Sequence, residues 1–331
     1  MENVKGEVKM LYIGKNEIDK LGLNFSDSIS YIEKAIEIIY KNDYSQPIKP
    51  YLRYGDMKNR IIAMPAFVGG EIDLAGIKWI ASFPNNITHN IPRAHSVVVL
   101  NETATGIPVS VINTPYLSIL RTASVSGTII KHYKEVRNLE NITVGIIGWG
   151  PIGKAHYQMV KAVLDSCVAQ IKLYDIKDVT DDEVVVADTK IHVVNSWEEA
   201  YLNSDIVFNC TVSAAPYIDK KPKEGALLMN VSLRDYVPEF YEYITDATII
   251  VDDWEEVCRE NTDIEKFHKL KGLQKEDTVT IMDVIVNHKL KSIPVTQCIM
   301  FNPMGMAAFD VTIGRYIYDT AMKNNIGMIL E

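Results

Sequence analysis

The chain has 331 residues, of which 47% are hydrophobic, and a formal net charge of −9 at pH 7. This length exceeds the ~250 to 300 residues at which single hydrophobic cores stop growing, so we expect two domains. The negative charge argues against general binding to nucleic acid or to a membrane surface, and we expect a small-molecule partner instead.

The N-terminus and the cysteines narrow the class of protein further. The segment MENVKGEVKMLYIGKNEIDKL lacks the apolar core and cleavage site of a signal peptide. No stretch reaches the ~20 apolar residues of a membrane span, so we expect a cytoplasmic protein. The four cysteines form no CxxC pair and the histidines show no HExxH spacing, so we expect neither a disulfide framework nor a metal site.

The first part of the chain predicts one helix followed by short strands. Residues 27–41 begin with a candidate Asp or Ser cap and repeat isoleucine at helical spacing. The β-rich runs that follow are separated by Gly, Asn and Pro, which is typical of an antiparallel or mixed sheet. These runs are RIIAMPAFV, AGIKWIASF, SVVVLN and IPVSVINT, and the segment LSILRTASVSGTIIKHYK then predicts a second helix.

From Ile142 the pattern changes to apolar strands that alternate with helices. Such alternation predicts a parallel sheet covered on both faces. The last segment, GMAAFDVTIGRYIYDTAMKNN, predicts a helix that packs on the first domain. The change of pattern puts the domain boundary near residue 128.

A glycine-rich turn follows the first strand of the alternating region. In GIIGWGPIGKAH, the residues Gly148, Gly150 and Gly153 form G-x-G-x-x-G. Such glycines allow a tight turn, the approach of a pyrophosphate and close helix–strand packing. Asp175 ends the next strand, where a carboxylate can accept ribose hydroxyls and repel a 2′-phosphate. The pattern predicts an NAD site, although Lys177 could help to hold the phosphate of NADP.

Four small or polar residues follow two later strands of the same region. They are Thr211, Val212, Ser213 and Ser232. The carboxyl edge of a doubly wound sheet is where ligand contacts are made, so we expect these residues to line the ribose and nicotinamide. Ordinary loop positions are the alternative.

Several charged residues stand in apolar or turn segments and are candidates for catalysis or substrate binding. Lys78 interrupts the apolar run AGIKWIA, so it is either a buried lysine suited to proton transfer or a strand lysine that points to solvent. Arg53, Arg93 and Arg121 stand among apolar or turn residues, where each could bind a carboxylate or form a surface ion pair. Asp235 follows a strand end, either as a reactive acid or as a helix N-cap.

In chain order, the segments YLRY, RIIAMP, GIKWI, LRTAS, GWGPIG, VDDW and FNPMGMAAFD resemble the ornithine cyclodeaminase and mu-crystallin family over nearly the whole chain. The resemblance implies an α/β fold with a Rossmann-like doubly wound domain that binds NAD, residues 129–304. It implies a second α/β domain for substrate binding and homodimer formation, residues 1–128 with 305–331.

The resemblance also implies residue roles. Lys78 and Asp235 are the expected catalytic residues, and Asp235 matches the family's aspartate after the strand that ends in Asn230. The expected substrate-binding residues are Arg53, Met64, Lys78, Arg93 and Arg121. The expected cofactor-binding residues are Thr122, Gly148, Trp149, Gly150, Pro151, Ile152, Gly153, Asp175, Thr211, Val212, Ser213, Ser232 and Met304.

Within the family, the segments QPIKPYLR, GGE and NPMGMA are similar to members that release L-2,3-diaminopropionate for siderophore and antibiotic assembly. The implied reaction is NAD-dependent oxidative hydrolysis of N-(2-amino-2-carboxyethyl)-L-glutamate, with 2-oxoglutarate as the second product. Ile62 stands where ornithine cyclodeaminases have a glutamate, and Arg93 and Arg234 add positive charge suited to a tricarboxylate. The turn before the family aspartate is rich in glycine and reads Ser-Leu-Arg here.

The sequence is also compatible with two other functions. An ornithine cyclodeaminase, or another imine or amino-acid dehydrogenase of the family, would share the fold and the cofactor. A non-catalytic ligand-binding protein of the mu-crystallin kind would share the fold alone.

Overall fold

The computed structural model describes residues 9–179 and 190–331. In these ranges no helix is both long enough and apolar enough to cross a bilayer. The strands are β1 (Met10–Ile13), β2 (Tyr44–Ser45), β3 (Tyr51–Leu52), β4 (Arg60–Val68), β5 (Leu74–Ser82), β6 (Ala94–Glu102), β7 (Pro108–Asn113), β8 (Ile142–Ile147), β9 (Val168–Tyr174), β10 (Ile191–Val193), β11 (Ile206–Asn209), β12 (Leu227–Met229), β13 (Thr248–Val251), β14 (Thr278–Thr280), β15 (Ile299–Asn302) and β16 (Met328–Leu330).

The α-helices are α1 (Lys15–Ile18), α2 (Phe25–Tyr40), α3 (Tyr116–Val136), α4 (Pro151–Leu164), α5 (Trp197–Tyr201), α6 (Trp254–Val257), α7 (Asp263–Lys271), α8 (Ile281–Ile285) and α9 (Ala307–Asn324). Short 3₁₀ helices cover Pro84–His89, Asp165–Cys167, Pro238–Tyr243, Lys275–Asp277 and Lys289–Ser292.

The chain divides into two compact units. The mixed-sheet unit comprises the described parts of Met1–Ser124 with Met306–Glu331, and the parallel-sheet unit comprises those of Val125–Gly305. The expected boundary near residue 128 and the observed division both fall inside α3. Helical periodicity continues through α3, so the change of sequence pattern from Ile142 onward follows the division and does not mark its exact position.

The mixed-sheet unit is built on one sheet with the strand order β16-β1-β7-β6-β5-β4-β2, in which β3 also pairs with β4. Strands β4 to β7 pair antiparallel, whereas β1 pairs parallel with β7 and antiparallel with β16. Helix α9 packs on β4, β5 and β6 and on α2. The predicted mixed sheet is confirmed.

Helix α2 begins earlier than its sequence pattern indicates. The side chain of Asn24 accepts a hydrogen bond from the Asp27 N–H at 2.9 Å and donates one to the Asp27 carboxylate at 2.8 Å. The predicted Asp or Ser cap is therefore wrong, because Asn24 caps the helix and Asp27 lies in its first turn. The isoleucines at helical spacing are buried, as their pattern predicts.

The parallel-sheet unit has the strand order β10-β9-β8-β11-β12-β15-β13-β14. Every pairing described in this sheet is parallel. The chain moves outward from β8 through β9 to β10, then returns to β11 on the other side of β8. The predicted doubly wound, Rossmann-like sheet is confirmed, and the reversal beside β8 is the place where such sheets bind ligands.

Candidate functional site

The glycine turn joins β8 to α4 at the reversal of strand order. Gly148 has a φ of +101°, and a Cβ there would lie 2.7 Å from the carbonyl oxygen of Cys210. A Cβ on Gly153 would overlap the carbonyl oxygen of Gly148. Both glycines are therefore required by the fold itself, for a left-handed turn and for close packing.

Gly150 differs from these two glycines. It is the N-cap of α4, its φ is −74°, and a Cβ there would meet no atom within 4 Å. Neither backbone strain nor packing in the described residues explains a glycine at this position. Open space at the start of a helix led by Pro151 and Ile152 fits the approach of a pyrophosphate to backbone N–H groups.

Asp175 ties the end of β9 to the glycine turn. Its carboxylate accepts the N–H of Trp149 at 2.6 Å and the N–H of Lys177 at 2.9 Å. A carboxylate can accept about four hydrogen bonds, so two of these leave capacity for ribose hydroxyls. The indole of Trp149 is buried against Tyr157 and its backbone N–H is bonded to Asp175, so this residue stabilises the turn.

His156, which the sequence analysis did not identify, is buried and stabilises the helix that follows the glycine turn. Its Nδ1 donates to the carbonyl of Ile152 at 2.8 Å, which leaves Nε2 to accept the Ser126 hydroxyl at 2.9 Å. Burial lowers the pKa of His156 to about 4. A neutral imidazole therefore fixes the first turn of α4.

Asp235 is fully buried, and two hydroxyl groups hold its carboxylate. The Thr211 hydroxyl lies 2.7 and 2.8 Å from the two carboxylate oxygens, and the Tyr217 hydroxyl donates to one of them at 3.3 Å. Burial raises the pKa of Asp235, and the hydrogen bond from Thr211 opposes that rise. The N-cap alternative is wrong, because the next helical turn begins at Pro238 and its cap is Val237.

The loop that carries Asp235 is fixed by a second buried acid. Asp263 accepts the N–H groups of Asp235 and Tyr236 at 3.2 and 3.3 Å, and the Asn230 amide donates to the same oxygen at 3.1 Å. Burial raises the pKa of Asp263 to about 6. Leu233 adopts a φ of +65° in this loop, which a glycine-rich turn would accept without strain.

The remaining residues expected near the nicotinamide have mixed surroundings. Val212 is 70% exposed, the Ser213 hydroxyl donates to the carbonyl of Ala215 at 2.6 Å, and the Ser232 N–H donates to the carbonyl of Asn209. Thr211 uses its hydroxyl on Asp235. Of the four, Thr211 therefore has a hydrogen bond to a candidate catalytic residue, and the side chain of Ser232 also lowers the pKa of that residue, Asp235.

Two other expected cofactor residues make local contacts. The Met304 N–H and the Gly305 N–H donate to the buried Asp252 carboxylate at 3.0 and 2.6 Å. This contact connects the VDDW and NPMGM segments and gives both a structural role. Thr122 lies in the mixed-sheet unit, where its hydroxyl donates to the carbonyl of Ser118 at 2.8 Å within α3.

In the mixed-sheet unit, three charged side chains form a buried ion cluster. Lys78 on β5 is 1% exposed, and its Nζ lies 2.8 Å from Oδ2 of Asp310 on α9. Arg121 on α3 donates from Nε to Oδ1 of the same carboxylate at 2.9 Å. The solvent-facing alternative for Lys78 is therefore wrong, and Met64 lies directly opposite it on β4.

Electrostatics in this cluster favour a lysine that titrates near neutrality. Burial lowers the pKa of Lys78 to about 7, against the opposing effect of Asp310. Burial alone would raise the pKa of Asp310, but the charges of Arg121 and Lys78 hold it below its usual value. The acid therefore stays ionised while the lysine can gain or lose a proton.

Arg53 and Arg93 are partly exposed and make contacts of their own. Arg53 donates to the carbonyl of Met57 at 3.1 Å and lies 5.3 Å from the ring centre of Tyr51. Arg93 donates from Nε to the Ser82 hydroxyl at 3.3 Å. The described contacts thus join Arg121, but neither of these arginines, to Asp310.

Asp310, Tyr217 and Asp263 are site residues that the sequence interpretation missed. Asp310 lies within the segment FNPMGMAAFD, which carries part of the family resemblance but was assigned no role for its aspartate. A signal was present, because a lysine in an apolar strand needs a buried anion and an acid in an apolar helix needs a cation. No comparable signal marks Tyr217 or Asp263.

Comparison with known proteins identifies the family of this chain. The model of the ornithine cyclodeaminase/mu-crystallin family matches residues 14–325. An N-((2S)-2-amino-2-carboxyethyl)-L-glutamate dehydrogenase of Staphylococcus aureus (strain NCTC 8325 / PS 47) is 31% identical to this chain, and the alignment covers 98% of each protein.

Two solved structures share the fold. The Thermococcus litoralis Delta(1)-pyrroline-2-carboxylate reductase, in complex with NADH and L-proline, superposes with a TM-score of 0.85 at 21% identity over 96% of this chain and 99% of the other. An archaeal alanine dehydrogenase dimer with bound NAD gives a TM-score of 0.83 at 23% identity over 98% and 99%. With the family match over most of its length, the chain belongs to the ornithine cyclodeaminase/mu-crystallin family.

Proposed function

We propose that the protein is an NAD-dependent oxidoreductase that acts on a CH–NH bond, with N-(2-amino-2-carboxyethyl)-L-glutamate as its substrate. The observation that carries the proposal is the buried cluster of Lys78, Arg121 and Asp310. With all three ionised, these buried groups sum to one positive charge, which favours a carboxylate ligand. The 31% identity to a dehydrogenase of this substrate supports the specific choice.

The same cluster disfavours ornithine. A distal ammonium needs an anionic partner, and the carboxylate of Asp310 is already shared between Lys78 and Arg121. Ile62, where ornithine cyclodeaminases have a glutamate, supplies no charge. A substrate with several carboxylates therefore suits these residues better than a diamine does.

NAD is the proposed cofactor, and the residues of the glycine turn fit it. Gly150 leaves room for a pyrophosphate at the start of α4, and Asp175 offers a carboxylate to the ribose. The carboxylate at this position favours NAD over NADP. When bound, the nicotinamide supplies the hydride acceptor.

In the proposed reaction the substrate, NAD⁺ and water yield 2-oxoglutarate, L-2,3-diaminopropionate, NADH and a proton. The glutamate Cα–H bond is broken with loss of a hydride, a C=N bond forms, water adds to its carbon and the C–N bond then breaks. Lys78 and Arg121 hold a substrate carboxylate. Lys78, whose pKa is about 7, and Asp235 carry the proton transfers on nitrogen and water. The diaminopropionate would serve siderophore or antibiotic assembly.

The substrate is tested by incubating the enzyme with NAD and N-(2-amino-2-carboxyethyl)-L-glutamate, and in parallel with NAD and ornithine. We expect NADH and 2-oxoglutarate in equal amounts from the first mixture. Proline and ammonia from ornithine without net NADH would instead identify a cyclodeaminase. NAD binding without turnover of either compound or of other amino acids would favour a non-catalytic ligand-binding protein.

The cofactor site is tested by a matched pair of variants, Gly150→Ala and Gly153→Ala. A Cβ at Gly150 meets no protein atom, whereas one at Gly153 overlaps Gly148. We expect Gly150→Ala to keep the thermal midpoint but to lose at least about tenfold in NAD affinity, which is about 1.4 kcal/mol. Gly153→Ala should lower the thermal midpoint. If Gly150→Ala bound NAD like the wild type, the assignment of the turn to the pyrophosphate would be wrong.

The proposed assembly is a homodimer formed through the sheet of the mixed-sheet unit. Residues of β4 that face α9, such as Met64 and Val68, are buried, while the opposite face of the sheet is apolar and includes Trp79 at 45% exposure. Burial of that face by a second copy would remove apolar surface from water. Light scattering should give twice the chain mass of 37.3 kDa, and a monomeric mass would contradict the proposal.

A further inference from the structure

We infer that Asp310 is the positioning residue of the substrate site: from α9 it holds Lys78 and Arg121 side by side and keeps Lys78 able to carry a proton. This role rests on the proposed function, because it matters only if Lys78 and Arg121 receive a substrate carboxylate. Asp310 itself is a positioning residue, since both of its oxygens contact protein cations.

The geometry assigns one carboxylate oxygen to each cation. Oδ2 lies 2.8 Å from Lys78 Nζ, and Oδ1 lies 2.9 Å from Arg121 Nε. The three side chains come from β5, α3 and α9. A single rigid group therefore sets the spacing of two cations that come from separate elements, and such spacing governs how a carboxylate is oriented between them.

Charge explains why the anion is needed. Asp310 is 0% exposed, and its neighbours on α9, Phe309 and Val311, are buried apolar residues. The groups that act on Lys78 are Asp310, which raises its pKa, and Arg121 and Lys49, which lower it together with burial. Without Asp310, the charge of Arg121 would still act on Lys78 with no described carboxylate to offset it, and Lys78 would lose its proton more readily.

Stability alone does not account for an acid at this position. Buried ion pairs contribute little more, and often less, than well-packed apolar side chains of the same volume. Such a cluster therefore contributes less to the stability of a core than apolar side chains do, but it holds charged groups in fixed positions for a ligand.

The test is the pH dependence of kcat/KM in Asp310→Asn, with Asp319→Asn as the matched control. Asp319 lies on the same helix and pairs with Arg315 at 2.8 Å, in a partly exposed site. In Asp310→Asn the limb of the profile that reports Lys78 should move to lower pH by about one unit or more, whether turnover needs the protonated or the neutral amine. KM should also rise at least about tenfold, because Arg121 loses the ion pair that holds it in place. Asp319→Asn should keep the wild-type profile.

An Asp310→Asn enzyme whose activity falls equally at every pH, with its limbs in place, would overturn the inference. Inactivity of the wild type itself would count against the proposed function instead. Binding of L-glutamate, one half of the proposed substrate, can be measured without turnover, and its pH dependence in Asp310→Asn should show the same downward shift. If the pH dependence of this binding did not shift, the inference would also be overturned.

A second variant covers the case in which Asp310→Asn does not fold. Asp310→Glu keeps the charge but displaces the carboxylate, so we expect NAD binding and the position of the Lys78 limb to stay near the wild type while kcat falls at least about tenfold. A wild-type kcat in Asp310→Glu would show that the placement of the two cations does not depend on this carboxylate, and the inference would be wrong.

Discussion

Lys78 and Asp235 are both buried ionisable side chains, and the two units hold them in different ways. Lys78 forms an ion pair with Asp310, and Arg121 forms a second ion pair with the same carboxylate. The hydrogen bonds described for the Asp235 carboxylate come from neutral hydroxyls, those of Thr211 and Tyr217, and the charge of Arg234 adds a smaller effect on its pKa. Loss of one partner therefore leaves an unbalanced charge in the first site and only a lost hydrogen bond in the second.

Burial acts on the two groups in the same direction, toward the neutral form. It lowers the pKa of Lys78 to about 7 and raises the pKa of Asp235. Asp310 opposes the change at Lys78 by charge, and Thr211 opposes the change at Asp235 by a hydrogen bond. A base and an acid whose pKa values both move toward neutrality suit proton transfer near pH 7.

The largest effect is expected from Lys78→Ala. Turnover should fall by about 10⁴, the upper end of what general acid–base groups contribute, while NAD affinity stays near normal. Because a buried pair is broken, the free energy of unfolding should fall by ~3 to 5 kcal/mol. The control Lys34→Ala removes an exposed ion pair with Glu71 and should cost less than ~1 kcal/mol. Loss of NAD affinity in Lys78→Ala would show that the lysine is misassigned.

Asp235→Asn should impair turnover without the loss of stability. Turnover should fall by about 10², because the amide cannot accept a proton as a carboxylate does. The Thr211 and Tyr217 hydroxyls can still donate to the amide oxygen, so the thermal midpoint should change by only a few degrees. The control is Asp219→Asn, whose acid is exposed and pairs with Lys220. A large drop in thermal midpoint with turnover retained would reverse the contrast between the two sites.

The smallest effect is expected from Thr211→Val, measured on the pH profile of kcat/KM. Removing the hydroxyl raises the pKa of Asp235 further, so the limb that reports this acid should move to higher pH. The direction is opposite to that expected for the Lys78 limb in Asp310→Asn. Activity on the affected side should change by roughly tenfold, as one lost hydrogen bond to a charged group implies. The control Thr278→Val, which removes a threonine hydroxyl bonded to the carbonyl of Lys275, should leave both limbs unchanged.

The sequence predicted those features that depend on local pattern. Strands β4 to β7 and helix α3 follow from their apolar periodicity, and the glycine turn with Asp175 follows from spacing. The start of α2 was misplaced because Asn24 and Asp27 are both capable caps and their reciprocal hydrogen bonds decide between them.

Features that depend on distant pairing were not predictable in the same way. Alternation along β5 leaves the direction of Lys78 open until a partner is known, and that partner, Asp310, lies near the other end of the chain. The hydroxyl of Thr211 was expected at the cofactor, yet it contacts Asp235 because β11 and the loop after β12 are neighbours in the sheet. Roles for Arg53, Arg93, Thr122 and Met304 toward ligands remain proposals.

The central claim, hydride removal from the glutamate Cα of the substrate by NAD, is tested most directly by isotope transfer. N-(2-amino-2-carboxyethyl)-L-glutamate deuterated at that carbon would be incubated with the enzyme and NAD, and the NADH analysed by mass spectrometry. The account predicts NADH that carries the deuterium, together with unlabelled 2-oxoglutarate. NADH without deuterium, or diaminopropionate released with no NADH at all, would contradict it.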